Sequence, residues 1–492
     1  MRHGKKNLKT GEKKSVGAIE NIMNKKILIG GEWREAAESF AVKNPFTNEQ
    51  IAEIFSAGEN ELDEAISHAE SAAKQMREIS RYEIAGGLRK IANGIERRKK
   101  EFAETIAKEA AKPIKLAVGE VERGIATFNW AAGEAERFTG EVVPIDTTAA
   151  GKGKTAQTKR IPRGVIYGIT PFNFPLNLVG HKVAPALAAG NSIIIKPSQR
   201  TPLTALLLGE VFCHSGLPKS ALQIVPMDTK YIESVYTDER IKMISFTGSA
   251  EVGWNIKAKA NKKMVTLELG GNAPVIVDES ADFARSVGRT VFGAFTYAGQ
   301  VCISVQRVYI HEKIFDEWTE KFIESAKNLK KVNPLDEETE LSVMITEDAA
   351  KKAQSWIKEA EENGAKVLCG NTREGAMLDA TVITKTNAEM RVVAEEIFAP
   401  VAVVEKFSEF EEAVAMANHT KYGLQAGVFT NDLRNSAFAS DNLEFGGVII
   451  NDVPTFRVDN MPYGGVKDAG FGREGVRCAM EEMSEIRLII VN

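Results

Sequence analysis

GVIYGITPFNFPLNLVGHKVAPALAAGNSIIIKP, residues 164–197, is the segment whose pattern indicates the fold class most clearly. Its two ends, VIYGIT and SIIIKP, are short runs rich in β-branched residues and predict buried strands. The segment between them predicts a helix that runs through Val183 to Ala189. A strand, a helix and a second strand in this order indicate a βαβ unit, whose two strands lie parallel in one sheet.

The same alternation continues along the chain. After Lys196 come a helix over residues 201–215 and the strands ALQIVP and MISFTG. A second series follows residue 272 and consists of APVIVD, a helix over 282–298, VQRVYI, a helix over 314–329, KVLCG and PVAVVEKF. Residues 60–140 carry apolar positions at helical spacing and predict an all-helical cap. The sequence therefore predicts an α/β protein with two parallel-sheet domains.

The composition is typical of a globular protein. Of the 492 residues, 43% are hydrophobic and 26% are charged, a balance that excludes wholesale disorder. The net charge of -4 argues against a nucleic-acid partner, because such proteins normally carry a basic excess. No apolar run reaches the roughly 18 residues that a membrane span needs. We therefore expect a soluble protein with neither nucleic acid nor membrane as a partner.

The cysteines and histidines indicate neither a metal site nor a disulfide framework. The four cysteines, Cys213, Cys302, Cys369 and Cys478, are widely scattered and form no CxxC pair. The six histidines form no HExxH or similar pair on one helix face. We expect a reducing, cytoplasmic compartment and no metal. The Lys-rich residues 1–22 predict a disordered extension.

Two features indicate a nucleotide site, although the dinucleotide fingerprint GxGxxG follows none of the predicted strands. The segment FTGSAEVG, residues 246–253, follows a strand and opens a helix, which places Gly248 and Ser249 at a helix N-terminus suited to a pyrophosphate. Lys196 ends a strand at the carboxyl edge of the sheet, where cofactors bind. Taken alone this motif is weak, because many strand-to-helix turns carry Gly and Ser only as helix caps.

Three side chains carry the chemistry. Two prolines fix the backbone around Asn173 in PFNFP, and a rigidly held amide is a good donor to a developing oxyanion. Glu268 in ELGGN and Cys302 in GQVC lie on separate glycine-rich turns and form a candidate base and nucleophile. Singly, Asn173 is compatible with a loop-stabilising residue and Cys302 with a small buried hydrophobe.

Together these segments resemble the aldehyde dehydrogenase superfamily. The similarity runs from about Asn24 to the C-terminus, and the motifs occur in the order PFNFP, KPS, FTGSAEVG, ELGGN, GQVC, EEIFAP and PYGGVKDAGFGRE. The resemblance implies the aldehyde dehydrogenase-like fold, with two Rossmann-like domains and a bridging β-hairpin. It assigns residues 23–145 and 161–272 to cofactor binding, 273–475 to catalysis, and 146–160 and 476–492 to oligomerisation as a homodimer or homotetramer.

The resemblance also implies roles for the candidate catalytic residues. Cys302 is the expected nucleophile, which forms a thiohemiacetal and then a thioester with the aldehyde. Glu268 is the expected base for the deacylating water, and Asn173 with the Cys302 backbone N–H forms the oxyanion hole. Lys182 and Glu474 match positions of a proton relay beside that base, although both are also compatible with solvated surface residues.

The cofactor implied is NAD or NADP. NAD-selective members carry Glu at the position of Gln199, and the loss of that carboxylate predicts that NADP is accepted. Phe172 replaces a Trp common in the family, and QIVPMD lacks a usual glycine. The cofactor contacts that the resemblance implies are Thr170, Pro171, Phe172, Lys196, Ser198, Gln199, Gly248, Ser249, Leu269, Glu396 and Phe398.

Three residues fall where the superfamily lines its substrate tunnel: Arg123, His181 and Arg457. A guanidinium in a dry passage needs a neutralising partner, so two of them favour a small polar or anionic aldehyde. Each arginine alone is also compatible with a structural ion pair. The pattern resembles the branch that includes lactaldehyde and glyceraldehyde-3-phosphate dehydrogenases, which we rank equally. Succinate-semialdehyde and phosphonoacetaldehyde dehydrogenases are alternatives, and Val301, where some phosphate-specific members carry Arg, argues against phosphate.

Two further alternatives remain open at this point. A CoA-acylating aldehyde dehydrogenase would pass the acyl group to a thiol, but such enzymes usually lack the base that Glu268 supplies. A non-catalytic structural relative would not need the set of Cys302, Glu268 and Asn173. Both are therefore less favoured than a hydrolytic enzyme.

Overall fold

The structure, a computed structural model, describes residues 23–492. The expected disordered extension, residues 1–22, lies outside the described residues. The strands are β1 (Met23–Lys25), β2 (Ile27–Ile29), β3 (Glu32–Arg34), β4 (Glu38–Lys43), β5 (Gln50–Ser56), β6 (Val142–Val143), β7 (Thr155–Pro162), β8 (Val165–Ile169), β9 (Ser192–Lys196), β10 (Leu222–Ile224), β11 (Ile241–Thr247), β12 (Met264–Glu268), β13 (Ala273–Val277), β14 (Val305–His311), β15 (Lys366–Cys369), β16 (Arg373–Glu374), β17 (Met377–Leu378), β18 (Thr381–Thr384), β19 (Val401–Phe407), β20 (Tyr422–Gly423), β21 (Gln425–Phe429), β22 (Gly447–Ile450), β23 (Val466–Lys467), β24 (Gly470–Phe471) and β25 (Ser484–Val491). The α-helices are α1 (Glu59–Glu78), α2 (Arg81–Arg97), α3 (Lys99–Ala110), α4 (Ile114–Arg137), α5 (Asn177–Ala188), α6 (Leu203–Phe212), α7 (Glu233–Thr237), α8 (Ala250–Lys259), α9 (Phe283–Phe295), α10 (Phe315–Lys327), α11 (Glu347–Glu362), α12 (Arg391–Ala394), α13 (Phe410–Asn418), α14 (Leu433–Asn442) and α15 (Val476–Glu482).

The first large sheet has the strand order β24-β12-β11-β8-β9-β10-β2-β3. The five central strands from β12 to β10 run parallel, whereas β24, β2 and β3 add antiparallel edges. All residues of β8 and β9 are buried, because helices cover both faces of a parallel sheet. The βαβ unit predicted from residues 164–197 is confirmed.

The second large sheet has the order β15-β18-β19-β14-β13-β21-β22 and a core of its own. Its strands are parallel except for β15, which pairs antiparallel with β18. The predicted α/β architecture with two sheets is therefore confirmed. Cofactors bind at the carboxyl edges of parallel strands, so the ends of β8, β11 and β12 are where a site is expected.

The helices predicted over residues 60–140 are confirmed as α1 to α4, but the prediction that they form an all-helical cap at the start of the fold is wrong. Strands β1 to β5 precede the helices, and β2 and β3 join the first large sheet. Helices α1 to α4 do not form a separate layer, because they share a core with that sheet: Phe128 of α4 packs in one cluster with Val183 of α5 and Ile195 of β9. The apolar faces of these helices are thus buried against the sheet and not only against each other.

A third sheet has the order β6-β7-β25, and its pairs are antiparallel. Strand β25, near the C-terminus, is an edge strand of this sheet and pairs with β7 along its full length. The side chains of Ile486, Leu488 and Ile490 alternate along β25 and are 62%, 52% and 53% exposed. The third sheet therefore presents an apolar strand face at its edge.

Among residues 23–492, none of the helices is both long and apolar enough to cross a membrane.

Candidate active site

A cavity of about 840 Å³ opens where the first sheet meets the second. It is lined by the loop after β8, the start of α8, the end of β12, the segment around Cys302 and the EEIFAP segment. The residues predicted from sequence that line it are Pro171, Phe172, Asn173, Gly248, Ser249, Glu268, Leu269, Cys302, Glu396 and Phe398. Tertiary folding thus brings the three candidate chemical groups and most of the candidate cofactor contacts to one space.

The loop before Cys302 has an unusual backbone. Tyr297, Ala298 and Gly299 all adopt left-handed φ values, of 49°, 53° and 67°. Such conformations cost about 1–3 kcal/mol for each residue other than glycine and persist only where the surroundings enforce them. At Gly299 a side chain would overlap the carbonyl of Ala399. The sharp turn directs the carbonyl of Gln300 at Asn173, whose Nδ2 donates to it over 3.0 Å.

Asn173 itself is 4% exposed. Its Nδ2 carries two N–H groups, and only one is used by the bond to Gln300. Behind it, Glu120 accepts hydrogen bonds from the backbone N–H groups of Leu176 and Asn177, over 2.9 and 3.2 Å. The buried Lys112 pairs with Glu120 and lies 3.6 Å from the Phe174 ring centroid. The sequence did not predict this buried ion pair. It holds the loop that carries the Asn173 side-chain amide.

Among the described residues, the sulfur of Cys302 has one polar side-chain neighbour within hydrogen-bond distance, the hydroxyl of Tyr463 at 3.1 Å. Burial raises the pKa of the Cys302 thiol to about 11, although the Tyr463 hydrogen bond and the positive charge of Arg457 pull the pKa down. Tyr463 lies in PYGG, and the motif alone gave no sign of this contact. The only sequence feature that could have indicated the contact is a tyrosine directly before a glycine pair.

Glu268 is the last residue of β12 and is 5% exposed. Its Oε2 atom is buried and has no hydrogen-bond partner in the described residues. Burial and the negative charge of Glu474 raise the pKa of Glu268 well above its usual value. Its protonated form is therefore favoured more than in a free glutamate, and the group must be ionised to activate water.

Lys182 and Glu474 are both buried beside Glu268 and do not lie on the surface. Lys182 donates to Ser245 at 3.0 Å and to Thr247 at 2.7 Å, and its Nζ lies 3.5 Å from Glu474. Burial lowers the pKa of Lys182. Burial opposes ionisation of Glu474, but Lys182, His181 and Arg457 together hold its pKa well below the usual range. The two groups form a charged pair behind the base.

The three candidate substrate residues form one continuous network with Asp459, which the sequence analysis missed. Arg123 donates to both oxygens of Asp459, over 2.7 and 3.2 Å. His181 Nε2 lies 2.8 Å from Asp459, and His181 Nδ1 lies 3.1 Å from Arg457 Nη2. His181 Nδ1 also lies 3.5 Å from a Glu474 oxygen, so the imidazole bridges the carboxylates of Asp459 and Glu474.

Arg457 completes the network on the side of the nucleophile. Its Nη2 donates to Glu474 over 2.9 Å, and its guanidinium lies 3.6 Å from the Tyr463 ring centroid. Both arginines thus have a carboxylate partner within the protein, so a substrate anion is not needed to neutralise them. The Nε of Arg457 is nevertheless buried without a hydrogen-bond partner in residues 23–492.

The cofactor side of the cavity is built on backbone groups. Helix α8 begins after Ser249, whose side chain makes no capping hydrogen bond, so the first N–H groups remain available to a phosphate. Glu396 accepts from the Gly271 N–H over 3.0 Å, and any side chain at Gly270 would overlap its carboxylate. Phe172 and Phe398 meet edge to face, with ring centroids 6.0 Å apart.

The remaining candidate cofactor residues lie outside this cavity lining. Burial lowers the pKa of Lys196 to about 8, partly offset by Asp228, which the sequence did not single out. Gln199 lines a neighbouring cavity of about 680 Å³. Thr170 has a buried hydroxyl with no partner in the described part of the chain, and Ser198 accepts from the Arg200 N–H over 3.1 Å.

Within the described range 23–492, no three His, Cys, Asp or Glu side chains cluster as they would around a metal ion. The four cysteines are unpaired with one another.

A model of the aldehyde dehydrogenase family matches residues 33–489. The chain is 42% identical over 467 residues to 3-sulfolactaldehyde dehydrogenase of Priestia aryabhattai, covering 95% of this chain and 98% of that protein. It is 41% identical over 474 residues to lactaldehyde dehydrogenase of Methanococcus aeolicus, covering 95% of this chain and 100% of that protein.

Two solved structures share the whole fold. One is aldehyde dehydrogenase 21 from Physcomitrella patens in complex with the reaction product succinate, with a TM-score of 0.94, 43% identity and coverage of 96% of this chain and 99% of that chain. The other is glyceraldehyde-3-phosphate dehydrogenase GapN from Methanocaldococcus jannaschii complexed with NADP, with a TM-score of 0.89, 40% identity and coverage of 93% and 99%.

Proposed function

The chain belongs to the aldehyde dehydrogenase family, and from this premise we propose that it oxidises a small polar aldehyde to the carboxylate through a thioester on Cys302. It is an oxidoreductase that uses NAD or NADP. When bound, the cofactor supplies the hydride acceptor, and the roles below belong to this chain's own residues.

Cys302 is the proposed nucleophile. Its thiolate adds to the aldehyde carbon, a C–S bond forms, and the carbonyl electron pair moves to oxygen. We assign the backbone N–H of Cys302 and the second N–H of Asn173 to that oxyanion, since the Gln300 carbonyl uses only one N–H of Asn173. The strained turn through Tyr297 and Ala298 supports this role, because it orders the nucleophile loop against Asn173 before any substrate is bound.

Glu268 is the proposed base for the second half-reaction. It takes a proton from water, the water oxygen bonds to the acyl carbon, and the C–S bond breaks to return the thiolate. Burial and the charge of Glu474 favour the protonated form of Glu268, and a proton must leave this carboxyl for it to act as the base. Lys182 and Glu474, buried behind it, are the groups to which we assign that proton's path.

The cavity residues fit a nicotinamide dinucleotide. We assign the pyrophosphate to Gly248 and Ser249 at the start of α8, the nicotinamide ribose to Glu396 and Phe398, and the adenosine ribose to Lys196. The fit rests on the uncapped N-terminus of α8 and on the glycine cradle around the Glu396 carboxylate. Pro171, Phe172, Thr170, Leu269, Ser198 and Gln199 complete the proposed contacts.

The substrate class rests on one observation, the buried Nε–H of Arg457 that has no partner in the described chain. A buried donor left without an acceptor is costly, and an oxygen on the substrate would satisfy it. That oxygen can belong to a hydroxyl, a carboxylate or a sulfonate. The relatives named for lactaldehyde and 3-sulfolactaldehyde support the same class, and glyceraldehyde 3-phosphate is the further candidate suggested by GapN.

We further propose a homo-oligomer of the cytoplasm. Residues 146–160 and 476–492 are the proposed oligomerisation element, beside the cofactor-binding domain (23–145 and 161–272) and the catalytic domain (273–475). The apolar face of β25 supports the assignment, because an edge strand with exposed isoleucine and leucine side chains favours pairing with another chain.

A substrate panel tests the proposed reaction. The purified chain is assayed with lactaldehyde, 3-sulfolactaldehyde, glyceraldehyde 3-phosphate, succinate semialdehyde and propanal, with each cofactor and with or without coenzyme A. We expect the free acid as the product. We also expect a higher kcat/KM for the aldehydes that carry a further oxygen-bearing group than for propanal, which carries none. A preference for propanal would refute the substrate class, and an acyl-CoA product would refute the hydrolytic step.

A further inference from the structure

The hydroxyl of Tyr463 is the side-chain group in hydrogen-bond contact with the Cys302 sulfur, at 3.1 Å. Tyr463 is 3% exposed and is therefore buried beside the sulfur. Neither the motif pattern nor the roles proposed above give this tyrosine a function. Its position beside the reacting sulfur calls for one.

The Tyr463 ring is held from two sides. Its backbone N–H donates to the Glu474 carbonyl over 3.0 Å, and the Glu474 N–H donates back over 2.6 Å. The Arg457 guanidinium lies against the ring face, 3.6 Å from its centroid. The hydroxyl is therefore fixed at the sulfur by backbone pairing and by a cation–π contact, and does not depend on the sulfur for its place.

The chemistry of the two groups decides the direction of the hydrogen bond. A thiolate can only accept, whereas a phenol donates as long as it keeps its proton. Burial and the negative charge of an ionised Cys302 both raise the pKa of Tyr463 well above its usual value, so the phenol stays protonated. The positive charge of Arg457 on the ring face also polarises the O–H bond toward the sulfur.

We propose that Tyr463 is a catalytic residue whose hydroxyl donates a hydrogen bond to the Cys302 sulfur whenever that sulfur is negatively charged. This inference rests on the proposed role of Cys302 as nucleophile. The bond is present before attack, weakens as the C–S bond forms and the charge moves to the carbonyl oxygen, and forms again when the C–S bond breaks and its electron pair returns to sulfur. The proton stays on Tyr463 throughout.

The expected gain in the reactivity of Cys302 is a balance of two effects. A hydrogen bond to a charged acceptor corresponds to roughly one to two units in the pKa of the thiol. The thiolate fraction then rises about 10- to 100-fold at neutral pH, but each thiolate becomes less reactive, since nucleophilicity falls with a Brønsted coefficient of about 0.4–0.5. The net increase in reactivity is about 3- to 10-fold, and the same bond also makes the sulfur a better leaving group.

Alkylation of Cys302 by iodoacetamide tests the proposal without any aldehyde. Full-length wild type and Tyr463→Phe are alkylated between pH 6 and 10, and the Cys302 peptide is quantified by mass spectrometry. The variant keeps the ring and leaves unaltered the other charged groups that face the sulfur, Arg457, Glu268 and Glu396. We expect about 3- to 10-fold slower alkylation at pH 7.5, and a rate profile displaced to higher pH.

Tyr167→Phe is the matched control. It also removes one buried phenol hydroxyl that contacts a sulfur, the Met227 thioether at 3.3 Å, in the core of the first sheet. We expect its alkylation profile to match wild type. Circular dichroism and the thermal midpoint establish that both variants fold.

Two outcomes overturn the proposal. If folded Tyr463→Phe is alkylated with the wild-type profile, the hydroxyl only fills space beside the sulfur. If Tyr167→Phe slows Cys302 equally, the effect is a general loss of packing. Turnover gives the second readout, because Tyr463→Phe should lower kcat/KM for lactaldehyde and 3-sulfolactaldehyde by similar factors. The two proposals can fail separately. If the wild type oxidises none of the panel aldehydes but Tyr463→Phe still displaces the alkylation profile of Cys302, the proposed function is wrong and the role of Tyr463 is supported.

Discussion

The contribution of Arg123 to substrate choice can be calculated from its contacts and tested directly. Its Nε and Nη2 atoms are occupied by Asp459, and its side chain is 29% exposed, whereas that of Asp459 is 4% exposed. Two of the five N–H donors of this guanidinium are thus already engaged within the protein. A hydrogen bond to a charged group contributes about 1.5–3 kcal/mol, and partial exposure and partial neutralisation place Arg123 at the lower end.

The double variant Arg123→Leu with Asp459→Asn removes both charges of the pair together and keeps an oxygen acceptor for His181 at position 459. A loss of about 1.5 kcal/mol corresponds to about a tenfold lower kcat/KM for 3-sulfolactaldehyde, whereas neutral lactaldehyde should change little. Arg123→Leu alone should cost the anionic substrate about 10²-fold, because the remaining Asp459 charge then repels it.

Steady-state kinetics with these two aldehydes measure the difference, since they share a carbon chain and differ in the sulfonate. Arg137→Leu is the control, because Arg137 lies at the end of the same helix α4 and pairs with Glu134. Equal losses for both aldehydes in the Arg123 variants would refute the reasoning, and would show that the pair serves folding alone.

Glu268→Gln should keep the first burst of reduced cofactor but accumulate a thioester, seen by rapid mixing and intact-mass measurement; absence of both would remove the base assignment. In the wild type, the raised pKa of Glu268 predicts that deacylation slows as pH falls, which a pH profile of steady-state turnover measures against that of the burst. Gln199→Glu should lower kcat/KM for NADP relative to NAD by at least about tenfold, because a carboxylate there repels a 2′-phosphate; an unchanged ratio would contradict the cofactor assignment. Lys112→Met should destabilise the fold by about 3–5 kcal/mol in urea denaturation, because it leaves Glu120 buried and unpaired; a change below about 1 kcal/mol would contradict this. Leu488→Lys, on the exposed face of β25, should reduce the oligomer size measured by light scattering, and a wild type that is already monomeric at micromolar concentration would contradict the oligomer itself.

Local sequence patterns predicted the repeating elements well. The strand VIYGIT is β8 and SIIIKP is β9, and the helix predicted over 314–329 is α10, Phe315–Lys327. The helix predicted through Val183 to Ala189 is longer in the structure. There, α5 starts at Asn177 and continues through Pro185. All of its residues are buried, so it shows no amphipathic periodicity from which its start could be inferred.

The short strands before residue 57 were missed for a related reason. Strands β1 to β3 have three residues each, too few to show an alternating pattern. They become strands because neighbouring strands offer backbone partners: β1 pairs with β5, and β2 pairs with β10. Their existence depends on tertiary pairing and not on local preference.

By itself, the sequence determined the α/β fold, the aldehyde dehydrogenase resemblance and the identity of Cys302, Glu268 and Asn173 as candidate chemical groups. These follow from periodicity and from ordered motifs, both of which are local properties of the chain. The partner of each side chain is a different kind of property. Arg123 meets Asp459 across 336 positions, and Cys302 meets Tyr463 across 161. These contacts form only when the C-terminal loops dock against α4, α5 and the turn before Cys302. The docking gives both arginines carboxylate partners and brings a phenol to the sulfur. No local pattern could predict this, because none specifies which distant charges share a buried volume.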